Sequence, residues 1–90
     1  MLQTISITVK GKVQGVFFRQ SAKEIANQLG IKGEIKNLPG GNVHIVATGT
    51  KEQLDSFIQW CKKGPPRASV AGVDVQEVSL QMFHQFMIVH

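Results

Sequence analysis

Hydrophobic period switches along this chain from two residues to about 3.6 and back, twice over, and few folds satisfy that order. Ile5, Ile7 and Val9 alternate with Ser6, Thr8 and Lys10, which predicts a strand with one buried face, ended by Gly11 and Gly15. Phe18, Ala22, Ile25, Ala26 and Leu29 then fall at helical spacing, with Gly30 placed as a helix C-terminal glycine. A helix is predicted from about Arg19 to Leu29. Ile31, Gly33 and Ile35 alternate with Lys32, Glu34 and Lys36, and Val43, Ile45 and Ala47 repeat that rhythm after Asn37-Leu38-Pro39-Gly40-Gly41-Asn42. This predicts a hairpin. Thr50 followed by Gln53 is a capping-box start, and Leu54, Phe57, Ile58 and Cys61 mark the buried stripe of a second helix, closed by Gly64-Pro65-Pro66. Val73 and Val75 alternate in one phase, and Val78, Leu80 and Met82 in the other, which predicts a bulge or break near Glu77. Phe86 and Ile88 make a last short strand.

The resulting order, β-α-β-β-α-β plus a short C-terminal strand, assembles as an α+β fold, the ferredoxin-like sandwich: an antiparallel sheet with two helices on one face. A chain of 90 residues with no internal repeat, low-complexity tract or linker reads as a single domain over 1–90. So small a domain cannot enclose a deep cavity, so the site should be shallow. No apolar stretch is long enough to span a membrane. The opening Met1-Leu2-Gln3-Thr4-Ile5-Ser6 lacks the basic and apolar regions of a secretory signal, so a cytoplasmic home is expected.

In a split β-α-β unit the first two strands run parallel with the third between them, so their C-terminal ends share one edge of the sheet. The loop from Gly11 to Arg19 leaves the first strand there, and Asn37 closes the second strand about two strand spacings away, roughly 10 Å. Glycines in the loop permit positive φ, consecutive N–H groups can converge on one point, and the helix N-terminus adds partial positive charge. Arg19 supplies a full charge and a planar fork for two phosphate oxygens. Taken alone, a Gly-rich strand-to-helix loop is a weak signal. It lacks the Gly-Lys-Ser/Thr ending of a nucleotide P-loop and the three glycines of a dinucleotide fingerprint. Asn37 belongs to a stretch of ordinary turn chemistry, but by parity with Ile31 and Ile35 it falls on the buried face, where a neutral amide needs water or a ligand as partner.

Ten Lys and Arg against six Asp and Glu give a net charge of +4, which suits an anionic ligand but also nucleic acid. The basic residues are dispersed from Lys10 to Arg67 and read mostly as solvated surface. An RNA-recognition module shares this element order, but Val43-His44-Ile45-Val46-Ala47-Thr48 lacks its stacking aromatics and the chain has no tyrosine, which argues against nucleic acid. His44, His84 and His90 have no metal-ligand spacing, so no metal and no cofactor is expected. The single Cys61 lies in a helical apolar stripe and reads as a core thiol. Asp55 and Glu24 read as surface charges, Asp55 beside Lys51, and no two carboxylates form an acid–base pair. That absence constrains the chemistry. Expelling an alkoxide from phosphorus normally requires an acid or a metal, whereas an acyl phosphate expels a carboxylate with a conjugate-acid pKa of about 4 and needs no proton delivered.

Val9-Lys10-Gly11-Lys12-Val13-Gln14-Gly15-Val16-Phe17-Phe18-Arg19 resembles the signature of the acylphosphatase family, including Gly-x-Val-Gln-Gly-Val and the closing Phe-Arg. Gly33-Glu34-Ile35-Lys36-Asn37, with Gly41, Val43 and Gly49 downstream, is similar to a second motif of that family, and Gly64-Pro65-Pro66-Arg67-Ala68 with Val70 to a third stretch. The similarity spans nearly the whole chain. It implies a ferredoxin-like fold and metal-free hydrolysis of acyl phosphates to carboxylate and inorganic phosphate, with no phosphoenzyme. It implies that Arg19 binds phosphate together with the backbone N–H groups of Gly15, Val16, Phe17, Phe18 and Arg19. It implies further that Asn37 orients the attacking water, and that the substrate phosphate takes the proton of that water. A monomer, with inorganic phosphate as product and competitive inhibitor, goes with that reading. The sequence departs from the family pattern at Glu34, where an aromatic is usual, at Gly40, where an acid is usual, and at His90, where an aromatic or arginine is common.

Overall fold

The computed structural model describes all residues, Met1–His90. Seven elements follow in the order β1 (Gln3–Lys12), α1 (Phe18–Leu29), β2 (Lys32–Asn37), β3 (Val43–Gly49), α2 (Lys51–Lys63), β4 (Ser69–Val78) and β5 (Phe86–Ile88). The sheet order is β4-β1-β3-β2-β5. β1 pairs antiparallel with β3 and β4, and β2 antiparallel with β3, so β1 and β2 run parallel with β3 between them. The sheet is mixed rather than wholly antiparallel, because β5 pairs parallel with β2, Ile35 opposite Ile88.

Alternation does the sorting. Ile5, Ile7 and Val9 on β1, Val43, Ile45 and Ala47 on β3, and Ile35 on β2 are buried on one face and pack with Ala22 and Ala26 of α1 and Leu54, Phe57 and Cys61 of α2 into one core. Trp60 lies 5.2 Å from the Phe18 ring and 6.3 Å from Phe57, which meets Phe86 of β5 edge-on at 5.9 Å. These aromatic contacts join both helices to the last strand.

The ends of the helices are fixed by local chemistry. Gly30, at φ 81°, donates back to Ala26 and Asn27 and stops α1. The predicted capping box of α2 is present: Gln53 N donates to Thr50 Oγ1 at 3.2 Å, and Thr50 N to Gln53 Oε1 at 2.8 Å. Lys51 and Asp55 pair at 2.9 Å on the outer face of α2.

The expected break near Glu77 is absent. Glu77 pairs with Ile5 and Gln76 with Ser6 in unbroken register. The irregularity lies at the other end of β4, where Lys10 opposes Gly72 but Gly11 opposes Val70. Gly11 there has φ 122°, and a Cβ on it would collide with the Ser69 carbonyl oxygen. The change of apolar phase after Val75 instead marks the exit from the sheet. The chain leaves β4 at Val78 and crosses the face opposite the helices toward β5. Gln81 N donates to Thr4 Oγ1 at 2.9 Å, and Thr48 Oγ1 donates to Gln81 O at 2.7 Å. Leu80 and Met82 remain exposed on this crossing.

Candidate active site

β1 and β2 end at the same edge, and the segment leaving β1 runs straight into α1. Gly15 (φ 75°) and Phe17 (φ 64°) both take the left-handed conformation, which curls the loop back on itself. A bulky residue in that region carries strain of about 1 kcal/mol or more, and such strain gathers at functional sites. The contrast with α2 is informative. The N-cap of α1 is Phe17, which has no capping side chain, and the first turn of α1 holds no acidic residue. The backbone N–H groups from Gly15 to Gln20 therefore find no acceptor in the protein, the first bond of this stretch being Ser21 N to Phe17 O at 3.1 Å. Uncapped N–H groups at the positive end of a helix favour negative charge beside them.

A cavity of about 380 Å³ opens above this loop, lined by Val13, Gln14, Gly15, Phe17, Phe18, Arg19, Gln20, Asn37, Ile88 and His90. Arg19, in the first turn of α1, and Asn37, at the end of β2, thus line one cavity. Arg19 is half-buried, and the two ion pairs of the molecule, Lys10–Asp74 and Lys51–Asp55, lie elsewhere, so its guanidinium keeps all its donors. No Asp or Glu side chain lines the cavity. Asn37 is the last residue of β2, opposite Val43 on the helix-facing side of the sheet. Its Oδ1 is buried and has no hydrogen-bond partner, alone among the side-chain oxygens and nitrogens of the molecule. An unsatisfied carbonyl of this kind costs about 1–3 kcal/mol. A half-turn of the terminal amide exchanges its two ends, so its oxygen and nitrogen can trade places at this position.

Two side chains that sequence spacing does not mark as chemistry-bearing, Phe17 and His90, also reach the site. Phe17 stands 69% exposed at the cavity rim, and His90 follows β5, whose parallel pairing with β2 carries it there. Only the apolar pair Phe86 and Ile88 hinted at this strand, and no local signal fixes which edge it joins. Cys61, by contrast, is buried in the core, and desolvation pushes its thiol up to about 12. It does not line the cavity and is inert as a nucleophile at neutral pH. No three His, Cys, Asp or Glu side chains gather into a metal-binding group, and no helix is long and apolar enough to cross a membrane.

Fold and cavity together define a ferredoxin-like sandwich with a cavity at the carboxyl ends of its parallel strands β1 and β2. Comparison with known proteins narrows that class. The family model described as acylphosphatase matches residues 5–88, so the chain belongs to the acylphosphatase family. It is 43% identical to an acylphosphatase of Methylococcus capsulatus over 88% of this chain and 86% of the relative. It is also 43% identical to an acylphosphatase of Archaeoglobus fulgidus, over 96% and 97%. The solved structure of an acylphosphatase from Coxiella burnetii superposes with a TM-score of 0.95 at 38% identity, covering 98% of this chain and 93% of that one.

Proposed function

We propose that this hydrolase of the acylphosphatase family cleaves acyl phosphates by direct in-line attack of water on phosphorus. One observation carries the reading: a run of N–H groups without acceptors lies beside a guanidinium without a partner, in a cavity that also holds an orphaned amide. The N–H groups of Gly15, Val16, Phe17, Phe18 and Arg19 hold the phosphoryl oxygens, and Arg19 forks onto two of them. Asn37, turned so that Oδ1 faces the cavity, accepts one hydrogen of a water and leaves its lone pair aimed at phosphorus. As the new P–O bond forms, the bond from phosphorus to the acyl oxygen breaks, and the electron pair leaves with the carboxylate. The proton of the water passes to a phosphoryl oxygen. Carboxylate and inorganic phosphate are the products, and phosphate, fitting the same cradle, inhibits competitively.

The absence of an Asp or Glu side chain from the lining supports a substrate whose leaving group needs no proton. This reading takes residues 1–90 as a single-domain, metal-independent monomer of 9.9 kDa acting in the cytoplasm. Benzoyl phosphate and acetyl phosphate should be turned over at unchanged rate in chelator, whereas an alkyl phosphate monoester should be nearly inert. Equal efficiency on both classes, or a chelator-induced loss restored by a divalent ion, would refute it. Sedimentation of the active protein at twice that mass would overturn the monomer.

A further inference from the structure

We infer that Gln14 is a positioning residue whose side-chain amide sets the separation between the anion cradle and Asn37; this rests on the proposed role of Asn37. Gln14 Nε2 donates to Leu38 O at 2.9 Å and to Asn42 O at 2.8 Å, across 24 and 28 residues of sequence. Those carbonyls flank the base of the β2–β3 turn, where Leu38 N donates to Asn42 O at 2.8 Å. The next rung of the ladder is Asn37 opposite Val43. On its other side Gln14 adjoins Gly15, the first left-handed residue of the loop. One amide therefore grips both halves of the site.

The topology makes this tie necessary. The last rung between β1 and β3 is Val9 opposite Val43, and beyond it Lys10 to Lys12 pair with β4 alone. The cradle loop and the hairpin tip thus project past their shared pairing, and the Gln14 amide supplies the only hydrogen bonds between them. Both N–H donors of an amide nitrogen are spent on the two carbonyls, so Nε2 has none left for a substrate. Gln14 acts through Asn37, not on phosphate. In-line attack is steep in geometry, and a displacement of about 1 Å can cost on the order of 10²-fold in rate.

A double-mutant cycle in kcat tests this. Gln14→Met keeps the length of the side chain and removes both donors. It should lower kcat by about tenfold or more while the inhibition constant for inorganic phosphate stays within about threefold. In the Asn37→Ala background the same substitution should cost less than about twofold, because no positioned amide remains to be displaced. Gln14→Glu keeps the shape but turns oxygen toward the two carbonyls, so it should lose at least as much kcat, and it runs the same cycle if the Met variant fails to fold. Additive losses in kcat, near-normal turnover of a folded Gln14 variant, or a phosphate constant that rises in step with the loss of kcat would each overturn the inference. Normal kcat in Asn37→Ala alone would instead remove Asn37 from the mechanism and this inference with it, whereas additivity beside a damaged Asn37→Ala overturns the role of Gln14 alone.

Discussion

Replacing Asn37 with alanine should make the protein slower without making it weaker. In most half-buried positions a polar-to-alanine change breaks a hydrogen bond and costs about 1 kcal/mol of stability. Here the side chain makes no hydrogen bond within the protein, and the inner end of its amide is shut away without a partner. Deleting it removes a burden of about 1–3 kcal/mol rather than a bond, while alanine and asparagine are both poor strand formers at this strand end. The unfolding free energy should therefore stay level or rise by about 1 kcal/mol. Turnover answers to a different quantity. Losing the acceptor that fixes the water should lower kcat on the order of 10²-fold, about 2.7 kcal/mol of activation free energy. The inhibition constant for phosphate should move less than about twofold, since the cradle and Arg19 are untouched. Urea titration, steady-state hydrolysis of benzoyl phosphate and phosphate inhibition on one preparation give all three numbers. Turnover within about threefold of normal in the folded variant, or a parallel weakening of phosphate binding, would refute the reasoning.

Arg19→Lys should raise the phosphate inhibition constant almost as far as Arg19→Ala, on the order of 10²-fold, because an ammonium cannot reproduce the planar fork; a lysine variant with near-normal inhibition would refute that role. Burial holds the Cys61 thiol protonated up to about 12, above its ordinary 9.0. The unfolded chain therefore releases that proton first, and stability present below about pH 9 should be lost progressively toward pH 12, with a shallower alkaline fall in Cys61→Ala by thermal melts across pH. Gly11→Ala should lower stability by about 2 kcal/mol or more, since φ is 122° and the new Cβ would lie 2.7 Å from the Ala71 backbone nitrogen and closer still to the Ser69 carbonyl; a denaturant midpoint near that of the parent would refute it.

Whatever depends on neighbours a few residues apart is legible in the amino-acid order alone. The alternation of Ile5, Ile7 and Val9, the spacing of Leu54, Phe57 and Cys61, the Thr50–Gln53 box and the glycine stop at Gly30 are local, so element order could be read directly. From that order the shared edge of β1 and β2 followed, and with it the meeting of Arg19 and Asn37. Features that depend on pairing across the chain emerge only once it has folded. β4 is an edge strand with weak burial on either face, so its apolar phase does not report its register, and the break expected near Glu77 is instead an irregularity beside Gly11. β5 joins β2 in parallel, a choice that three residues cannot encode locally but that brings His90 to the cavity. Parity put Asn37 on the buried face, yet the solitude of its Oδ1 depends on every donor around it. Gln14 stood within the most legible motif of the chain, and its two hydrogen bonds reach a turn that folds back from more than twenty residues away, because loop closure brings together what sequence distance keeps apart.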